Sequence, residues 1–110
     1  MKMEVNISRI EEIAGNDTEM KKMLLGMFLD TCNRVISALE TAVNESTPEA
    51  QKVWKDSVHE LKGAALNLGF EELGIYCNEK ENADLTSHQK NESITVFKDA
   101  RDGVKKINYS

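Results

Sequence analysis

Along nearly the whole of this 110-residue chain, apolar side chains recur at intervals of three and four, the spacing that lines one face of an α-helix. No stretch competes with it as a strand, so the chain is confined to helices that bury their apolar faces against one another. Helix-start signals divide the pattern. Ser8 with Glu11, and Asn16 with Glu19, have capping-box spacing, and Thr86 with Gln89 repeats it near the end. Thr47 precedes Pro48, as a cap does when proline takes the first helical position.

These signals predict five helices. A short one over roughly 8–14 carries Ile10 and Ile13. A second, over roughly 17–45, carries Met20, Leu24, Met27, Phe28, Val35, Leu39 and Ala42. A third, over roughly 48–68, carries Val53, Trp54, Val58, Leu61, Ala65 and Leu68. The fourth, over roughly 70–82, has Leu73, Tyr76 and Cys77, and the fifth, over roughly 87–108, has Ile94, Phe97, Val104 and Ile107. Short polar or glycine-containing connections make successive helices antiparallel neighbours. The expected fold is therefore all-α: an up-and-down antiparallel four-helix bundle with a short additional N-terminal helix, in a single domain over residues 1–110.

Charge narrows the function. Nineteen acidic residues against fourteen basic ones give a net charge of −5, with no basic cluster, which disfavours phosphate-backbone binding and hence nucleic acid. The longest apolar run is far short of the ~20 residues that span a membrane. The first residues do not read as a signal peptide, so the expected location is cytoplasmic. Cys32 and Cys77 each fall on an apolar stripe, where thiols pack as small hydrophobes. The full helix set and the initial methionine favour a free-standing protein, and one complete bundle is expected to be a monomer.

The third helix carries the chemistry. Within Val58-His59-Glu60-Leu61-Lys62-Gly63-Ala64-Ala65-Leu66-Asn67-Leu68-Gly69, His59, Lys62 and Gly63 stand at i, i+3 and i+4 and share one face. Leu61, Ala65 and Leu68 form the apolar face, and His59 lies roughly 160–200° around the helix from Leu61, so burying Leu61 aims His59 at solvent. A glycine inside a helix costs about 1 kcal/mol relative to alanine. Its simplest compensation at Gly63 is room beside the imidazole for another protein. Lys62 then places a positive charge beside the ring, where it can balance an anion.

This segment resembles the histidine-phosphotransfer (Hpt) domain family of multistep two-component phosphorelays. That family's pattern is a histidine, any residue, leucine, lysine, glycine and two small residues, with a second glycine ten positions after the histidine. His59, Leu61, Lys62, Gly63, Ala64, Ala65 and Gly69 fill those places in order. Downstream, Leu73, Cys77 and Glu81 match a leucine, cysteine and glutamate of the family, whereas Lys80 stands where leucine is usual. The departure touches packing at the end of the fourth helix rather than the phosphorylation site.

The resemblance implies that His59 accepts a phosphoryl group from a receiver-domain aspartyl-phosphate and hands it to another receiver aspartate. It implies response-regulator receiver domains and a hybrid sensor histidine kinase as partners. A neutral imidazole is a competent nucleophile near neutral pH, and Lys62 can partly neutralise a bound phosphoryl group. No metal site and no general base is visible, so the chain reads as a carrier rather than an enzyme. It binds no cofactor of its own, and the carboxylates and Mg²⁺ of the transfer belong to the receiver.

Docking needs apolar surface near His59. The candidates are Ile10, Ile13, Met20, Met23, Leu24 and Met27 on the first two helices, with Leu66 and Asn67 beyond His59 and Lys55 or Ser57 before it. His88 reads as a solvated or capping residue. A zinc-protease helix would need histidine at 63, where glycine stands. A helical adaptor that keeps the docking face but moves no phosphate is the competing reading, and the presence of both His59 and Lys62 weighs against it.

Overall fold

A computed structural model describes residues 5–107 and Tyr109 and contains five helices: α1 (Ser8–Ala14), α2 (Thr18–Ala42), α3 (Pro48–Asn67), α4 (Glu71–Asn82) and α5 (Ser87–Lys105). Among the described residues there is no strand. Two sequence readings, the leader inspection over the first residues and the fifth helix up to 108, reach positions outside the described ones.

Two of the expected caps form as read. The Thr47 side chain accepts from the Ala50 N–H ahead of Pro48. Thr86 and Gln89 make the full reciprocal box, Thr86 Oγ1 accepting at 3.1 Å and Gln89 Oε1 accepting at 2.9 Å. The other two shift. For α2 the cap is Asp17, not Asn16: its carboxylate accepts from Met20 N–H at 3.0 Å and sets a full negative charge at the positive helix end. Ser8 lies inside the first turn of α1 and donates its N–H to Asn6 Oδ1, so the side chain serving that end is Asn6.

Helices α2 to α5 run up and down. Arg34 on α2 pairs with Glu60 on α3, and Lys98 on α5 reaches back to Glu40 on α2 at 3.0 Å. Tyr76 on α4 meets Phe97 on α5 edge to face, and its hydroxyl donates to the buried Ser93. The rod so formed measures 47 × 20 × 19 Å. Its core takes Phe28, Cys32, Val35 and Leu39 from α2 and Trp54, Val58, Leu61 and Ala65 from α3. Spacings of three and four put each set on one face, and each fully buried large side chain is worth roughly 1.5–3 kcal/mol. Cys32 and Cys77 are free and buried there, and burial pushes both thiols up to about 12.

The α3–α4 corner decides where the site forms. Gly69 adopts φ +79°, and there the chain reverses: Phe70 N–H donates to Ala65 O at 2.9 Å and Gly69 N–H donates to Leu66 O at 3.1 Å. A Cβ on Gly69 would also come within 2.6 Å of Arg9 Cβ, so α1 closes over this corner only because residue 69 has no side chain. Phe70 then packs edge to face on Phe28, 5.0 Å between centroids, tying the corner to α2.

Candidate functional site

With α4 folded back along α3, their facing residues pair in antiparallel register. Leu66 lies against Gly74, Lys62 against Asn78 and Glu81, and His59 against Glu81. His59 is thus on the seam between two helices and is 65% exposed, as the helical spacing required.

Glu81 organises this seam. One carboxylate oxygen, Oε1, lies 2.6 Å from His59 Nδ1, and the other, Oε2, accepts from Lys62 Nζ at 2.7 Å. The glutamate side chain is only 8% exposed, so the charge-assisted bonds act at low solvation. The Lys62 ammonium, chiefly, and the His59 hydrogen bond hold the Glu81 carboxyl below the usual carboxylate range, against an opposing push from burial. Glu81 is therefore ionised at neutral pH. An ionised carboxylate only accepts, so Nδ1 carries the hydrogen and donates it. The neutral ring then has its lone pair at Nε2, on the edge turned away from Glu81.

Other charged neighbours are held away from His59. Glu60, next to His59 in sequence, is turned towards α2 and held by Arg34 through two hydrogen bonds of 2.7 and 2.6 Å. The Arg34 bonds hold its carboxyl low as well. It cannot serve as a base for His59. At Gly63, a Cβ would meet nothing within 4 Å. Nothing inside the fold demands glycine there, and the surface beside His59 is open.

On the α2 side of His59 runs an apolar groove of about 240 Å³ lined by Leu24, Met27, Phe28, Thr31, Ala64 and Asn67, with Leu68 at its floor. Ile13, Met20, Met23, Met27 and Leu66 are exposed, and Leu24 is half-buried at the groove. Met20 and Met27, on the apolar pattern of the second helix, thus face outward. Ile10 is the correction. It is 0% exposed within the core, where packing against the end of the bundle leaves it no surface for a partner. Of the two residues before His59, Lys55 is exposed on the α4 side and Ser57 is half-buried.

Reading the third helix alone missed the role of Glu81. The glutamate of the family pattern was the only signal for it, because 22 residues separate it from His59. His88 is exposed and pairs with Glu92, one turn on, at 2.8 Å. Among the described residues, no group of three or more His, Cys, Asp or Glu could hold a metal ion, and no helix is long and apolar enough to cross a membrane.

No curated protein and no solved structure matches the chain. The family model of the Hpt domain matches residues 23–106, which include α3, α4 and the whole His59 seam. The chain therefore belongs to the Hpt domain family, phosphoryl carriers that work by histidine phosphotransfer in phosphorelays rather than as enzymes.

Proposed function

We propose that His59 Nε2 is the phosphoacceptor, taking a phosphoryl group from the aspartyl-phosphate of one receiver domain and passing it to the aspartate of another. The observation that carries this reading is the Glu81 clamp: an exposed imidazole whose inner nitrogen is held by an anionic carboxylate and whose outer nitrogen has no hydrogen-bond partner among the described residues. In the forward step the Nε2 lone pair attacks phosphorus, a P–N bond forms, and the acyl P–O bond breaks with its electron pair returning to the receiver carboxylate. No proton moves, so no general base is needed.

Attack by Nε2 leaves a positive charge on the ring, because Nδ1 keeps its hydrogen. Glu81, 2.6 Å away, offsets that charge as it develops. In the return step the same arrangement helps, since an imidazole that already bears its Nδ1 hydrogen leaves as a neutral group. Lys62 stands one turn along the same face; its ammonium is paired with Glu81 at 2.7 Å and balances the phosphoryl oxygens by turning from that carboxylate towards the outer edge of the ring. The receiver supplies the acidic residues and divalent metal that stabilise the transferring phosphoryl group.

The receiver docks over Gly63 and the groove beside it, with Leu24, Met27 and Asn67 as contacts and Ile13 and Met20 extending the apolar surface. Thioether side chains adapt to more than one partner surface, which suits a carrier that meets a donor and an acceptor. It works as a monomer, its core closed by its own helices.

The test is transfer from a receiver preloaded on aspartate. Label on this chain should be acid-labile, alkali-stable and absent in His59→Gln. Binding without labelling would identify a docking adaptor and refute phosphotransfer.

A further inference from the structure

We infer that Gly74 is a positioning residue for receiver docking, because its bare Cα is the seat that holds Leu66 upright on the phosphoacceptor face. The inference rests on the reading of His59 as phosphoacceptor. Leu66 lies two turns beyond His59 and one turn beyond Lys62 and Gly63, so it continues the same exposed stripe. It is a large apolar side chain with 45% of its surface exposed.

Its inner part is not free. A Cβ on Gly74 would overlap Leu66 Cδ2, come within 2.7 Å of Cγ and lie 3.6 Å from Cδ1. The isobutyl group therefore occupies the volume a side chain at 74 would take. Leu66 is seated in a notch of α4 while its outer surface stands beside the open crest at Gly63. A docking residue already seated against its own fold loses less freedom on binding than one free in solvent. The occupant that fits is the receiver domain itself, because the patch is continuous with the face on which His59 must meet the receiver's aspartate.

The notch separates positioning from folding. Gly74→Ala adds a methyl group in mid-helix, where alanine is the better helix former. The atoms in its way, Cδ2 and Cγ foremost, all belong to one side chain that can turn about its Cα–Cβ bond, so Leu66 must swing out while the backbone stays.

The experiment measures transfer from a receiver domain phosphorylated on aspartate with acetyl phosphate, over a range of receiver concentrations. Leu66→Ala, Leu66→Met, Gly74→Ala and the double variant Leu66→Ala/Gly74→Ala are compared with the unaltered chain. Leu66→Ala and Gly74→Ala should each raise KM for the receiver about tenfold, a change of ~1.4 kcal/mol, with kcat nearly unchanged. Leu66→Met should retain most of the affinity. In the Leu66→Ala background, Gly74→Ala should add nothing, since no leucine remains to be displaced.

An unchanged KM in Leu66→Ala overturns the inference, whatever Gly74→Ala does. So does a Gly74→Ala effect that persists in full without Leu66. If the unaltered chain takes no label, the phosphotransfer reading fails instead. Receiver binding, followed by titration calorimetry, then tests Leu66 and Gly74 by the same comparison.

Discussion

Replacing Gly63 should make the protein more stable and worse at its task. A Cβ at this position meets nothing within 4 Å, and the backbone is ordinary helix, so alanine brings no clash and no strain. Removing the glycine penalty should then stabilise the fold by about 0.8–1 kcal/mol. For a chain of this length that raises Tm by roughly 4–6 °C. The same methyl group stands one turn from His59, where a docked receiver must approach closely. Overfilling a packed contact costs about 1–3 kcal/mol, or roughly five- to 150-fold in transfer rate. Gly63→Gln should fall at the severe end.

Gly26 supplies the control. It is also helical and also open to a Cβ, but on α2 it is turned by about 100° from Met27 and the groove. Gly26→Ala should match the gain in Tm and leave transfer unaltered. The assays are thermal unfolding by circular dichroism and initial rates of label transfer from a phosphorylated receiver. Loss of stability in Gly63→Ala, or wild-type transfer in Gly63→Gln, would refute the reasoning.

Further outcomes follow from the seam and the corner. Glu81 has a lowered pKa in the fold, so its stabilising contribution is complete above the ordinary glutamate value of about 4.3 and is lost as pH falls through the lowered one. Glu81→Gln should accordingly have a lower Tm than the unaltered chain at pH 7. That gap should narrow as pH falls from the ordinary glutamate value through the lowered one, and a gap that does not narrow at all on acidification would contradict the assignment. Gly69→Ala should cost on the order of 1–3 kcal/mol in denaturant unfolding, since alanine there meets both a positive φ and Arg9. A cost near zero would mean the corner relaxes freely. Met27→Lys, which places a charge at the rim of the groove, should weaken receiver binding by about tenfold or more with Tm nearly unchanged. Unchanged affinity would move the docking surface away from α2.

That His59, Lys62 and Gly63 share one helix face is legible in the sequence, because within a helix the rise and turn per residue fix who shares a face, whereas the half-burial of Lys62 against α4 is not. The same local rule marked the helix starts at Thr47 and Thr86, where cap and partner are three residues apart. It was less able to separate inside from outside. Met20 and Met27 fit the apolar pattern of α2 and are exposed, while Ile10, equally apolar, is sealed in the core. Hydrophobicity marks what is able to be buried, and much apolar surface stays outside in any folded chain. Glu81 at Nδ1 of His59 and Leu66 over Gly74 belong to tertiary structure alone. Each joins residues on different helices, and their meeting depends on how sharply Gly69 turns the chain and in what register α4 returns along α3. Spacing along the sequence carries no record of that register, which is set by the packing of α3 on α2, by the contact of α4 with α5 at Tyr76 and Phe97, and by the corner at Phe70.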